Sequence, residues 1–234
     1  MKHQRRVIAF IPLRGGSKSI KDKNLALLGG KPLCAWPIEI ALQTPEISRV
    51  VVSTDDLKIA EIAKKFNAEV QMRPPELATD TAIVADAIRY AKTVFQAEAE
   101  PAEYMVLLEA TSPFRSVALV QKCLHRLWDE SLDSIATFHE AEINPHRVWS
   151  IKKGTATPFI KGAVPWLPRQ KLPEAYQLNG AVYAFNLNTF PNNTPSILFG
   201  KMGAEIIEAN LVIDIDTQKD LEIANAILST RKST

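Results

Sequence analysis

Two cysteines, Cys34 and Cys123, are the only thiols in this 234-residue chain, and neither belongs to a CxxC pair or lies near a histidine at metal-ligand spacing. A zinc site and a disulfide framework are therefore not what organises it. Each cysteine falls on the apolar side of a helical pattern, where a buried, reduced thiol is expected. Histidine is equally scarce: His3, His125, His139 and His146 are scattered and form no triad or metal pair. No apolar run approaches the ~20 residues that span a membrane. The apolar run in the basic start MKHQRRVIAFIP is too short for a signal peptide, so a cytoplasmic protein is expected. A net charge of +2 is too near neutral to make nucleic acid the main partner. Two phosphate-binding signatures are missing as well. GxGxxG does not occur, and GxxxxGK[ST] fails because Lys18 follows Ser17 rather than a glycine.

What is present is the composition of an ordinary globular protein, 46% hydrophobic and 23% charged, long enough for one α/β domain with a sizeable core. The chain alternates strand and helix patterns. Val7 to Pro12 is nearly all apolar, as in a strand buried on both faces. Pro32 to Gln43 spaces Ala35, Ile38, Ala41 and Leu42 helically, Arg49 to Ser53 is β-branched, and Leu57 to Phe66 repeats an apolar helical face. Short strands are expected at 68–71, 103–108, 134–138, 181–185 and 211–215. Helices carry Val84 to Phe95, Val117 to Leu127 and Leu221 to Leu228. The alternation predicts a doubly wound, mostly parallel sheet with helices on both faces. Between about Glu140 and Leu178 the rhythm breaks, and prolines, tryptophans and glycines occur without periodicity. A stretch that long inside a compact domain predicts an excursion with strands of its own, able to pair with a second subunit.

The organising stretch is Arg14 to Asn24, RGGSKSIKDKN, which follows the first strand directly and holds two glycines and four basic side chains in eleven residues. One reading is a solvated basic loop. The other is a polyphosphate cradle, in which free backbone N–H groups meet an anion while Arg14, Lys18, Lys21 and Lys23 supply charge. Position favours the cradle, because open α/β sheets bind ligands beyond the carboxyl ends of their strands. Near the other end, LVIDIDT places Asp214 and Asp216 on one face of a strand, ~6–7 Å apart. A helix cap explains one of these carboxylates. A divalent cation bound also to phosphate oxygens accounts for both, as Mg²⁺ commonly is. Together the cradle and the pair imply phosphoryl or nucleotidyl transfer. Asp55 and Asp56, between a strand and a helix, read as N-capping residues.

The motifs IPLRGGSKSIKDKN, GKPL, VVVSTDD, RPPELATDTA, EATSPFR, LPRQKLPEAYQLNGAVY and VIDIDTQKDLEIA resemble, in order and spacing, the acylneuraminate cytidylyltransferases, or CMP-sialic acid synthetases. The resemblance covers nearly the whole chain and extends more distantly to the 3-deoxy-manno-octulosonate enzyme. It implies a single Rossmann-like nucleotidyltransferase domain over 1–234, with 140–178 as an inserted segment that exchanges contacts across a homodimer. It implies that the anomeric hydroxyl of a 2-keto acid sugar attacks the α-phosphate of CTP, releasing pyrophosphate. Arg14, Gly15, Gly16, Ser17, Lys23 and Asn24 would then hold CTP, with Arg73 and Asp80 closing on base and ribose. Asp214 and Asp216 would carry Mg²⁺, and Arg14 and Lys23 would join them as the catalytic groups. Thr111, Ser112, Arg169, Gln170, Asn179 and Tyr183 would face the sugar.

Three positions depart from the family pattern. Glu109 stands where QPTSP has glutamine, Gln177 where arginine is frequent, and Ile83 and Val84 where serines are common. Replacing an amide by a carboxylate removes two donors and adds negative charge, and losing an arginine removes a fixed planar cation. The expected substrate is a nonulosonate other than plain N-acetylneuraminate, such as a deoxy, diamino sugar. The alternatives are an octulosonate-type cytidylyltransferase, a nucleotidyltransferase using another nucleotide, and a homologue that binds nucleotide without catalysis.

Overall fold

A computed structural model describes residues 5–17, 19–79, 81–209 and 213–231. The apolar run VIAFIP becomes β1 (Val7–Pro12), buried except at Pro12. A small hairpin, β2 (Leu27–Leu28) and β3 (Lys31–Pro32), returns the chain to α1 (Ala35–Gln43). Then follow β4 (Arg49–Thr54), α2 (Leu57–Lys65), β5 (Glu69–Met72), α3 (Val84–Gln96), β6 (Tyr104–Leu107), α4 (Val117–Asp129) and β7 (Ser134–Glu140). A separate hairpin of β8 (Trp149–Lys152) and β9 (Thr155–Pro158) precedes β10 (Tyr176–Asn186), β11 (Met202–Ile206) and α5 (Gln218–Arg231).

Seven strands form one sheet in the order β11, β7, β10, β6, β1, β4, β5. All neighbours are parallel except β10, which runs antiparallel to both β6 and β7. The period-2 alternation of each strand sends side chains to two cores. Val7, Ala9, Ile11, Val50 and Val52 pack on one face with α1, α2, α4 and α5. Ile8, Phe10, Val51, Met105 and Phe185 pack on the other with α3 and a small aromatic group including Phe190 and Phe199. The doubly wound, mostly parallel sheet is the architecture the alternation pointed to, and both cysteines are buried and free.

Three expectations change. Leu42 is half exposed, outside the core face of α1. The strand expected at 211–215 is absent from the sheet where it is described: Leu211 and Val212 lie outside the described residues, and Ile213 to Asp216 is irregular chain. The strand at that edge is β11, which sequence reading missed because its inward residues are Gly203 and Glu205. A Cβ at Gly203 would lie 2.5 Å from Leu132 Cδ1, and Glu205 is buried only because Lys122 and Arg126 pair with it. β10 also begins at Tyr176, well before the expected 181.

The direction of β10 decides what reaches the site. The carboxyl ends of β1, β4, β5 and β6 deliver the segments beginning at Leu13, Asp55, Arg73 and Leu108 to one edge of the sheet, where open α/β sheets bind ligands. Because β10 is reversed and pairs Tyr183 with Leu107, its amino-terminal half lies beside the chain leaving β6. Asn179 and Glu109, 70 positions apart by their numbering, therefore share that edge.

Candidate active site

The cradle is held open by its own backbone. Asn24 donates from Nδ2 to the Arg14 carbonyl at 2.9 Å and accepts from Cys34 N through its carbonyl at 2.9 Å. Gly16 (φ 65°) and Asp22 (φ 52°) take left-handed conformations that turn the loop. Gly15 has no room for a side chain, since a Cβ there would lie 3.0 Å from Asp56 Oδ2. Gly15 N donates instead to Asp55 Oδ1 at 2.8 Å. The paired aspartates thus divide their work. Asp56 caps α2 by accepting from Lys58 N and Ile59 N, as expected, while Asp55 reaches the cradle, which was not. Ser17 and Lys23 line the same hollow, and Lys21 is exposed. Lys18 and Asp80 lie outside the described residues.

Arg73 sits at the end of β5 with its guanidinium on the Ser53 carbonyl at 2.9 Å and the Leu77 carbonyl at 3.3 Å. Burial lowers its pKa, with Asp55 opposing and Arg14 reinforcing the shift. Arg73, Arg14 and Asp55 are therefore electrostatic neighbours. In this state the Arg73 guanidinium braces the loop that was expected to close on base and ribose. Ile83 precedes α3 and is exposed, with Val84 behind it half-buried.

The connection that unites the site is Lys23 Nζ to Asp216 Oδ1, 2.9 Å across 193 positions of sequence. The basic loop after the first strand and the carboxylate pair near the end of the chain form one cluster. Asp214 and Asp216 are both exposed around the buried Ile215, so they share a side although the segment is not a strand. Ile215 N donates to the Thr111 carbonyl at 2.8 Å. Partial desolvation by the surrounding protein raises the pKa of Asp214 although part of the residue faces solvent, and a hydrogen bond with the Thr111 side chain opposes the rise. Thr111, expected to face a sugar, thus serves the carboxylate pair. No group of three or more His, Cys, Asp or Glu side chains among the described residues is arranged as a complete metal cage. Two exposed carboxylates, Asp214 beside Thr111 and Asp216 beside Lys23, are of a kind that would hold a Mg²⁺ drawing its other ligands from phosphate and water.

Next to the pair lies Glu109. Burial, then the Asp214 charge, pushes its carboxyl up to about 7, with Arg115 pulling the other way. Tyr183 is buried and its hydroxyl pKa is raised, first by burial and then by Glu109 and Asp214. Ser112 is buried and donates to the Asn179 carbonyl at 3.0 Å. Asn179 Oδ1 accepts from Thr137 Oγ1 at 2.6 Å and Ala181 N at 3.2 Å, while its Nδ2 has no partner among the described residues. A buried amide donor in that condition costs about 1–3 kcal/mol unless something accepts from it.

Three other sugar-side candidates sit elsewhere. Gln177, two residues before Asn179 at the start of β10, accepts from Glu142 N at 3.2 Å. Arg169 and Gln170 lie on an exposed turn, with Arg169 paired to Glu140 at 2.5 Å. Arg169 lines a cavity of about 940 Å³ with Glu140, Glu174, Tyr176 and Ile206. No described contact joins these three to Glu109. Sequence reading missed Asp55 and Arg115. A signal for each was present: two adjacent aspartates where a cap needs one, and an arginine directly before a helix start, where the dipole disfavours it.

Known proteins share the sequence pattern and the fold. A streptococcal N-acylneuraminate cytidylyltransferase (Streptococcus agalactiae serotype III) is 31% identical over 91% of this chain and 51% of its own length, so the chain spans about half of that relative. A pseudaminic acid cytidylyltransferase from Campylobacter jejuni is 28% identical over 94% of this chain and 95% of its own. The solved structure of a CMP:2-keto-3-deoxy-manno-octonic acid synthetase complexed with CTP superposes with a TM-score of 0.72 over 97% of this chain and 99% of that one, at 18% identity, a likeness of fold. Residues 8–193 match the family model described as cytidylyltransferase, and the chain belongs to that family.

Proposed function

We propose that this protein transfers a cytidylyl group from CTP to a nonulosonate, a sialic-acid-like 2-keto acid sugar, releasing pyrophosphate. The observation that supports the reading is the Lys23–Asp216 contact, which joins the basic glycine loop after β1 to the Asp214–Asp216 segment. The cradle, with Gly15, Gly16, Ser17 and Lys23, orients the triphosphate. The sugar's anomeric oxygen then forms a bond to the α-phosphorus as the bond to the β-phosphate oxygen breaks. The hydroxyl proton passes to water and pyrophosphate leaves. Positioning and charge neutralisation supply most of the acceleration in such a step. A divalent cation such as Mg²⁺, held by Asp214 and Asp216, supplies the positive charge that offsets charge building on the phosphate oxygens.

Glu109 supports a sugar other than plain N-acetylneuraminate. With its carboxyl held up to about 7, Glu109 accepts when ionised and can also donate when protonated; its ionised form beside Asp214 disfavours an acidic group and favours a hydroxyl, amide N–H or amine donor. Pyrophosphate release with CTP, UTP and GTP against a panel of keto-sugars tests both parts. A preference for UTP or GTP sinks the cytidylyl assignment, and N-acetylneuraminate as best substrate by kcat/KM sinks the substrate assignment.

A second copy of the chain is the proposed partner, through the 140–178 excursion. Trp166 is 83% exposed, and Ile143, Ile151 and Phe159 are exposed near it in sequence. That much apolar surface on one excursion calls for cover. Trp166→Glu is expected to shift the mass measured by light scattering from dimer to monomer, and an unchanged mass rejects this interface.

A further inference from the structure

Arg115 is a charged side chain that neither the nucleotide cradle nor the carboxylate pair explains. It immediately precedes Ser116, the N-cap of α4, where the helix dipole opposes a cation. It is only 5% exposed, and burial lowers its pKa to about 10, with Glu109 opposing the shift. A guanidinium in such a place is costly unless its donors are used. Nε donates to the Ala181 carbonyl at 2.5 Å, and Nη2 donates to the carbonyls of Glu109 and, at 3.5 Å, Gly180. Nη1 has no partner among the described residues.

Those three carbonyls belong to two separate segments. Glu109 leaves the end of β6, while Gly180 and Ala181 lie where the β10 register to β7 shifts between Leu178 and Tyr183. The two segments touch closely: a Cβ at Gly180 (φ 70°) would lie 2.9 Å from Ser112 Oγ and 3.1 Å from Glu109 Oε2. One planar fork therefore joins the segment that carries the Glu109 carboxyl to the segment that carries the Asn179 amide.

We propose that Arg115 is the positioning residue of the sugar end: by clamping the Glu109, Gly180 and Ala181 carbonyls it fixes the spacing between Glu109 and Asn179, and so sets the affinity for the keto-sugar without touching sugar or nucleotide. The inference rests on the cytidylyltransfer reading above. Lysine keeps the charge but not the fork, so it can hold one of the three carbonyls. Methionine keeps much of the length and holds none.

The test is steady-state pyrophosphate release by the full chain with CTP, Mg²⁺ and the best keto-sugar of the panel, beside calorimetric binding of CTP alone. For Arg115→Lys the sugar KM is expected to rise about tenfold, and for Arg115→Met kcat/KM for the sugar is expected to fall roughly 100-fold, while the CTP dissociation constant stays within about twofold. Ser116→Ala, which removes the cap of the same helix, should lower the melting temperature by a few degrees and leave the sugar KM in place. Parallel losses for sugar and CTP overturn the inference. So does an unchanged sugar KM in Arg115→Lys, or the loss of a cooperative melt in both Arg115 variants, which makes the residue a stability element. A wild-type chain that turns over no keto-sugar removes the underlying reading. Normal turnover with indifferent Arg115 variants removes the inference alone.

Discussion

The proposed nucleotide end and the proposed sugar end of the site are built in opposite ways. The proposed nucleotide end is one contiguous loop around Gly15 and Gly16, in which Gly15 N donates to Asp55 and Lys23 pairs with Asp216. The sugar end is assembled from the ends of β6 and β10 and the approach to α4. Its polar groups are buried, and Asn179 Nδ2 and Arg115 Nη1 are left without a partner among the described residues. A triphosphate is the same in every substrate of such an enzyme, and amides with mobile cations suit it. A sugar must be told from its relatives, and discrimination of that kind comes from fixed polar groups that are left unpaired by the wrong ligand. On the proposed function, affinity belongs to the loop and choice to the buried end.

The largest expected effect lies where the two ends meet. Asp216→Asn removes the charge that faces both Lys23 and the cation, and kcat is expected to fall by roughly 10²–10³ with little change in melting temperature; an enzyme left near wild-type rate contradicts the role of the pair. Gly15→Val drives a side chain into Asp56 and should raise the KM for CTP about tenfold with the sugar KM unmoved. Equal changes in both constants would erase the division of labour.

Glu109 offers a pH test of the buried end. Its carboxyl is held up to about 7 against an ordinary 4.5, so the folded state binds this proton more tightly than the unfolded chain does. Stability from this group is present below about pH 4.5 and lost as pH rises through about 7. In metal-free buffer the melting temperature should decline from pH 5 to pH 8, and Glu109→Gln should flatten that slope; an identical slope in the variant removes the claim. Smallest is Asp56→Ala, which loses the α2 cap and should cost about 1 kcal/mol in a urea titration. No loss there would mean that the cap, and with it the floor beneath Gly15, is held by something else.

What could be read from the sequence follows the same division. The cradle was legible because its glycines and cations are neighbours in the chain. Asp214 and Asp216 were legible as a pair, although the strand invoked to align them is irregular chain and the alignment comes from burying Ile215 between them. The parallel sheet could be read from the alternation of periods. The reversal of β10 could not, because an apolar strand has the same pattern in either direction. Without that reversal Asn179 has no reason to meet Glu109, and Arg115 has no reason to be more than the last residue of a loop. β11 stayed hidden because its inward positions hold a glycine packed against Leu132 and a glutamate neutralised by two basic residues of α4.

The ion pair between Lys23 and Asp216 also bears on how the protein comes into being. A ribosome releases the phosphate-gripping loop early and the carboxylates 193 residues later. Throughout that interval the nascent chain holds the basic loop but neither of the carboxylates that face it. The carboxylates come into place only when the segment around Ile215 docks on Thr111, so on the proposed function an unfinished chain has the loop without the groups that complete the site.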